Sequence, residues 1–577
     1  MKISNTLLLT IILFGLLTLS CQEKRTVGLT NSQERKVDSL TGHWNLKEKP
    51  GGAIAILKDG DIFYQNVFGQ ADVSEAKPNS EQTGFQLAQI SDSFVAYALL
   101  YLSETSKLSL EDTLSKHLPF TSSISPDIKV RHLLQQTSGI YDFEVLKNIV
   151  GWSDQNPFSD KDALSLIQSQ KEASFAPGTE FSPSRSNIFL AVQVIESFSK
   201  KPFSRYIEES IFGPLGMHDT FVLTDSNQDN PQMAKSYRNE ENGAITTIPS
   251  KKETYASINV VSSISDMVKW EQNLLKPNSS MTKTIQKFNS YVELDNGKTY
   301  DVPAGRLTYG QKYVHKERGI NTAMSTGGID GFASAIFNFP SERFTTITLS
   351  NNGEGYNGYI GMLSAHAILG DVFTEPTTTD YTTLKTFPID TSYHKKYEGM
   401  YWDALGELSR EIRIENDTLR YIRSNGNSSA LIPLSKDRFQ LKTDFDDKIY
   451  LTFNETDERI TMQYFYGDAN PFDFVKYTPK TPSHEELQVY EGNYICDALG
   501  IDYSFTISEN SLIASNEKIK GITFNYIKDE VFQGDQWFMG SIEFKRADED
   551  YIQGFYVRND LIRNLWFKKD RNIKTLP

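Results

Sequence analysis

The chain has 577 residues, enough for roughly three or four folding units of ordinary size. With 59 Lys and Arg against 74 Asp and Glu, a formal charge of -15 and a pI near 5.2, it offers no basic surface to neutralise a phosphate backbone, which excludes nucleic acid as a partner. Its two cysteines rule out a disulfide framework and its eight histidines show no short ligand spacing, so neither a metal nor a cofactor is expected.

At the start of the chain, Lys2 is followed by an uncharged, mainly apolar stretch from Leu7 to Leu19, too short to span a bilayer comfortably. Leu17-Thr18-Leu19-Ser20 then precedes Cys21, a small residue before a cysteine with apolar residues upstream, as lipoprotein signal cleavage requires. Residues 1–20 are therefore predicted to be a lipoprotein signal peptide and Cys21 the acylated first residue of the mature chain. An ordinary secretory signal with an incidental cysteine is the alternative. The expectation is a cell-envelope protein, lipid-anchored and extracytoplasmic, on a periplasmic or outer-membrane face, with the membrane as a partner. A lipidated Cys21 cannot pair with Cys496, so packing must hold the fold. Residues 21–46 are polar and charged, as suits a tether, and regular structure is expected to begin near Gly51.

From there GGAIAILKDGDIFYQNVFG alternates apolar and polar residues around Lys58-Asp59-Gly60, which predicts a β-hairpin. Ile90, Phe94, Ala98, Leu99 and Leu102 follow helical spacing. Mixed strands and helices continue to about Gly370, where the Thr- and Pro-rich TEPTTTDYTTLKTFP breaks the pattern, so residues 374–390 read as a linker. Beyond it the chain repeats itself. Tyr397-Glu398-Gly399-Met400-Tyr401 recurs as Tyr490-Glu491-Gly492-Asn493-Tyr494, Asp403-Ala404-Leu405-Gly406 recurs as Asp497-Ala498-Leu499-Gly500, and IRIENDTL from Ile412 matches FTISENSL from Phe505. Two copies of an all-β unit, 391–480 and 484–577, are predicted to close as small antiparallel barrels, since closure removes exposed edges.

Between about Gly51 and Gly353 the strings FGQADV, TGFQLAQISDSF, LSLEDTLSKHLP, IKVRHLLQQTSGIYDF, FAPGTEFSPSRSNIFLAVQVIE, IFGPLGMHDTF, SSISDMVKWEQNLL, STGGIDGFASAIFNFP and TLSNNG follow one another. In order and spacing they resemble the β-lactamase-related serine hydrolase family, which includes class C β-lactamases, penicillin-binding proteins, D-Ala-D-Ala carboxypeptidases and related esterases. The resemblance implies an α+β fold over residues 47–373, an antiparallel sheet flanked by helices, and the repeats resemble the lipocalin-like C-terminal domains of some relatives. It also implies acyl transfer by three motifs around one pocket: Ser-x-x-Lys, Tyr-x-Asn, and Lys- or His-x-Gly. Here the serine position is Gln89 and the lysine position Asp92. The tyrosine and asparagine positions are Pro183 and Arg185, and the third motif survives as Ser325-Thr326-Gly327 with a serine for the basic residue. A glutamine amide is no such nucleophile, and a carboxylate with an ordinary pKa near 3.9 is a far weaker base than an amine. Gly328 still offers an oxyanion-hole N–H beside that of Gln89.

Stray Ser-x-x-Lys matches at Ser197, Ser280, Ser392 and Ser515 open no apolar helix. Ser91 and Ser93 sit near the right place but are rotated about 200° and about 400° from position 89. The leading expectation is thus a pseudoenzyme that binds a peptidoglycan-derived peptide or a protein partner. The alternatives are an active serine hydrolase of D-aminopeptidase, carboxypeptidase or esterase type with rearranged residues, and a binder of small apolar ligands through the barrels, which otherwise serve as spacers or assembly surfaces. In the family the lysine lies near the asparagine, so the resemblance also implies an Asp92–Arg185 salt bridge, expected as a bidentate plug in the pocket floor. Cys21→Ala is expected to release the protein into the soluble fraction, because several acyl chains anchor firmly and none remains. A variant that stays with salt-washed membranes would count against lipid as the sole tether.

Overall fold

The computed structural model describes residues 28–571 except 47, 153–155, 157, 225–229, 241–242, 249–258, 278, 303, 330, 354, 375–383, 404–406, 444–447, 457–458, 467–470, 549–550 and 560. The signal peptide and Cys21, and most of the expected linker, lie outside them.

Among the described residues the first domain is built on an eight-stranded antiparallel sheet. Its strands are β1 (Gly52–Lys58), β2 (Asp61–Phe68), β3 (Asp301–Val302), β4 (Gly305–Leu307), β5 (Tyr313–Glu317), β6 (Ile320–Ile329), β7 (Phe332–Phe339) and β8 (Phe344–Ser350), in the order β3-β4-β5-β6-β7-β8-β1-β2. The predicted hairpin is β1–β2, turned by Asp59 and Gly60 at φ 56° and 80°. Strands β1 and β8 pair along their whole length and are buried almost throughout because both faces are covered. On one face Ala53, Ala55, Leu57, Ile347 and Leu349 pack with helices α2 (Ser91–Thr105), α4 (Arg185–Ser199) and α5 (Ile264–Leu275). On the other, Ile54, Ile56, Ala335 and Phe337 pack with α1 (Asn31–Thr41) and α6 (Gly355–Ile368). Helix α2 is apolar nearly all round, with Phe94 to Leu100 buried, as a helix at the centre of a domain must be.

Regular structure begins before Gly51, against the sequence-based expectation. Helix α1 opens on Thr30, whose hydroxyl accepts from the Gln33 amide while the Gln33 side chain accepts from the Thr30 amide. Val37 and Trp44 are buried against the sheet's outer layer, and these few apolar anchors among charged residues are enough once α6 lies alongside.

Each repeat is a closed eight-stranded barrel. In the first, Gly399–Asp403 pairs with Phe472–Tyr477; in the second, Gly492–Cys496 pairs with Leu565–Lys569. The repeated Tyr-Glu-Gly-x-Tyr has a mechanical reason. Tyr401 and Tyr494 each donate a hydroxyl hydrogen bond to a carbonyl four residues back, at 2.8 and 2.7 Å. Glu398 and Glu491 accept the amides of Ile414 and Ile507. Gly399 and Gly492 take φ values of 135° and 132°, and a Cβ there would press on Lys476 or Lys569, whose ammonium groups donate to the carbonyls of Lys396 and Val489. The second interior is filled by Tyr494, Phe505, Phe544 and Phe555 with centroids 5.2 to 5.7 Å apart, and the first by Tyr397 stacked on Phe453 at 4.3 Å. Such interiors are cores, and an apolar ligand finds no support there.

The second barrel is fused to the first domain. Tyr141, Val145, Leu146 and Ile149, on or beside helix α3 (Phe143–Ile149), share one hydrophobic cluster with the barrel's aromatic core. Around it Tyr503 donates to the Ile149 carbonyl at 2.8 Å, Ser174 to the Arg563 carbonyl at 2.6 Å, and Asn564 to the Ser174 carbonyl at 3.2 Å. Leu146→Ala, at a fully buried site, is expected to destabilise the protein by about 2 to 5 kcal/mol, read by denaturant unfolding. A loss under about 1 kcal/mol would show that the barrel rests on the domain without sharing its core.

Candidate active site

The turn that carries Gln89 is set by its surroundings. Phe85 and Gln86 form a short buried strand paired with Ser262 and Val261, after which Ala88 takes φ 48°, a left-handed conformation that a non-glycine residue holds only under tertiary constraint. Residues 88–90 make one 3-10 turn and α2 follows, which leaves Gln89 exposed between buried neighbours. Strand β6 lies directly against this turn: a Cβ on Gly327 would come within 2.1 Å of the Leu87 carbonyl oxygen, so only glycine fits. The approach lets the Gly328 amide donate to Gln89 Oε1 at 3.0 Å. The N–H that the resemblance assigns to an oxyanion hole is thus held by the protein's own carboxamide.

Gln89, Asp92, Pro183, Arg185 and Ser325 line one cleft of about 320 Å³, and Gly327 and Gly328 line an adjoining hollow that shares Gln89. Ser325 is buried on β6. Pro183 and Arg185 flank Ser184, which caps α4 by accepting from the Ser186 amide. The Arg185 amide donates to Asp142 Oδ2 at 2.6 Å, and Asp142 Oδ1 caps α3 through the amides of Glu144 and Val145.

The expected Asp92–Arg185 pair exists, but it is not a bidentate plug. Asp92 Oδ1 and Arg185 Nη1 stand 3.7 Å apart, too far for a hydrogen bond, and both atoms are shut off from solvent without a hydrogen-bond partner. The open cleft remains above them. Anchoring of the Arg185 backbone on Asp142 fixes where α4 starts and keeps the guanidinium at arm's length. Burial pushes the Asp92 carboxyl up to about 7, with Arg185 pulling the other way. Burial also raises Asp142, against the backbone N–H groups it accepts and the nearby Arg185 charge.

No displaced serine replaces Gln89 in this turn. Ser91 is fully buried and its hydroxyl accepts from the Val260 amide at 3.1 Å, while Ser93 is buried and donates to the Gly310 carbonyl at 2.7 Å. Ser197 donates to the His117 carbonyl, away from the cleft.

Sequence reasoning missed Gln136, Asp142, Gln311, Tyr313 and Leu561, all of which line the cleft. Gln136, left-handed at φ 59°, accepts from the Ser184 amide at 3.0 Å and Asn187 Nδ2 at 2.7 Å, and donates to Gln311 Oε1 at 3.0 Å. A signal for Asp142 was available, since an Asp after QQTSGIY and before FEVL is a helix cap. Leu561 comes from the second barrel and no local pattern announces it.

A carboxyl raised from 3.8 to about 7 weakens the fold as pH rises: below 4 both states carry the proton, between 4 and 7 the unfolded chain releases it first, and above 7 the penalty levels off. Asp92→Asn is therefore expected to stabilise the protein by roughly 2 to 4 kcal/mol at pH 8 and hardly at all at pH 4, measured by thermal unfolding across that range. An Asn variant less stable at pH 8 would show that the carboxylate is held rather than tolerated.

The described geometry has relatives. The beta-lactamase family model matches residues 41–364. The chain is 27% identical over 435 residues to penicillin-binding protein 4* of Bacillus subtilis, covering 72% of this chain and 93% of that protein. It is 24% identical over 303 residues to a D-aminopeptidase of Gluconobacter oxydans, covering 52% and 56%. In fold it is similar to the octameric penicillin-binding protein homologue from Pyrococcus abyssi, with a TM-score of 0.52, 21% identity, and 77% and 99% of the two chains covered. With more than half its length matched, the chain belongs to the beta-lactamase family.

Proposed function

We propose that the chain is an envelope lipoprotein, anchored through Cys21 and facing the extracytoplasmic space, whose beta-lactamase-like cleft binds a peptidoglycan-derived peptide or a protein partner without turning it over. The observation that carries this reading is the Gln89 carboxamide: it occupies the nucleophile's place and its oxygen takes the Gly328 N–H. In acyl transfer that donor would polarise the substrate carbonyl and then hold the developing negative charge. A resident amide there can neither attack nor leave. The other chemical positions agree, since no amine stands at Asp92 and Pro183 has no side-chain hydroxyl to move a proton. The family's scaffold strings persist around them, as a retained binding cleft requires.

The full chain is expected to take no covalent label from a fluorescent β-lactam or a fluorophosphonate, and labelling of the wild-type protein overturns the reading. Gln89→Ser alone is expected to stay unlabelled as well, because nucleophile and base act as a unit and Asp92 is no substitute for the amine. Acylation of that single variant would mean that a group in the cleft already serves as base.

A further inference from the structure

The cleft floor holds two charged groups that lack what each needs. Asp92 Oδ1 and Arg185 Nη1 are buried, have no hydrogen-bond partner and stand 3.7 Å apart, beneath a cavity of about 320 Å³ that both residues line. Each side chain keeps about a fifth of its area open, 18% for Asp92 and 21% for Arg185, and both residues line the cleft. The remaining neighbours do not relieve them. Asp142, beside the start of α3, spends its oxygens on the amides of Arg185, Glu144 and Val145. Tyr313 of β5 faces Asp92 and is itself raised by burial and by that carboxylate. Gln136 and Gln311 are neutral and engaged with each other.

We propose that this floor is a receptor for the free amino end of a peptide or amino acid, the ammonium donating to Asp92 and the adjacent carbonyl or carboxylate oxygen accepting from the Arg185 guanidinium. The proposal rests on the reading of the cleft as a site that binds without turnover, and it names the ligand's chemistry. The nitrogen and the carbonyl oxygen of one amino-acid residue lie within about 3 Å of each other, so one terminal residue spans the gap between the two side chains. A bare alkylammonium does not fit: it would meet the Arg185 charge with nothing to offset the repulsion. An anion alone would meet Asp92. A terminal residue brings a donor and an acceptor side by side, in the order the floor presents them.

Binding is then linked to pH. The Asp92 carboxyl must be ionised, which weakens binding about tenfold per unit below its value of about 7, and the terminal amine must be protonated, which limits binding above about 8. Asp142 remains tied to backbone amides. Affinity therefore peaks between the two.

The test is equilibrium binding of D-alanyl-D-alanine, N-acetyl-D-alanyl-D-alanine and ethylamine to the full chain, by calorimetry or ligand-observed NMR from pH 5.5 to 9. The free dipeptide is expected to bind at least tenfold more tightly than its N-acetyl derivative at pH 7.5 and to lose that advantage at pH 5.5, while ethylamine binds weakly throughout. Asp92→Asn is expected to erase the preference and flatten the profile. The N-acetyl comparison on the unaltered protein stands even if that variant folds poorly. Equal binding of the free and acetylated dipeptides overturns the amino-end receptor while the reading of the cleft as a peptide-binding site survives. If neither dipeptide binds at any pH, this proposal and the cell-wall-peptide reading fall together.

Discussion

Strand β6 touches the turn ahead of helix α2 through a position that can carry no side chain. The Leu87 carbonyl fills the space where a Cβ on Gly327 would stand, and this contact brings the Gly328 amide within hydrogen-bond reach of Gln89. Much else follows from it. The turn must pass through a left-handed Ala88 to present residue 89, a strain of about 1 to 3 kcal/mol that packing on both sides sustains. The Phe85–Gln86 strand and the largely apolar α2 hold the turn from below and the sheet holds it from above. The backbone thus keeps the shape that would expose a nucleophile, although the side chain it exposes has no such chemistry.

The electrostatics of the cleft are best read as a reversal of charge with incomplete compensation. Where the resemblance implies a cation on the first helix and a neutral amide beside it, α2 carries the anion Asp92 and α4 opens on the cation Arg185. Two partners of opposite charge could have closed on each other and removed the cavity. They stop short because Arg185 opens a helix whose first amide is bound by Asp142. A desolvated carboxylate without a hydrogen bond is costly, and the shift of Asp92 toward neutrality is the fold's way of limiting that cost.

How much of this was legible in the sequence depended on whether a residue's place was set locally. Gln89, Asp92 and Ser325 could be placed because helix and strand spacing are rigid once Phe85 or Gly327 is anchored, and the repeats because Tyr-Glu-Gly-x-Tyr is a self-contained clasp of hydrogen bonds within each barrel. Helix α1 was hidden: its charged composition reads as a tether, and only α6, far along the chain, gives Val37 and Trp44 something to pack on. The residues that shape the cleft walls were the least visible. Gln136 and Gln311 act through a mutual hydrogen bond across a long sequence separation. The geometry of the Asp92–Arg185 pair was beyond spacing arguments, because a few tenths of an ångström decide between a bond and a gap.

The sharing of a core between helix α3 and the second barrel sets an order on biosynthesis. Chains emerge N-terminus first, so the first domain exists for a time with Val145, Leu146 and Ile149 uncovered, and it stays so until Leu565–Lys569 closes the barrel on Gly492–Cys496. The chain must therefore wait, with an apolar face open to its neighbours, until that strand arrives. Frameshifts and nicks within the second barrel would act on the first domain as surely as lesions within it, and a genetic screen would map defects of the cleft to the stretch that encodes that barrel.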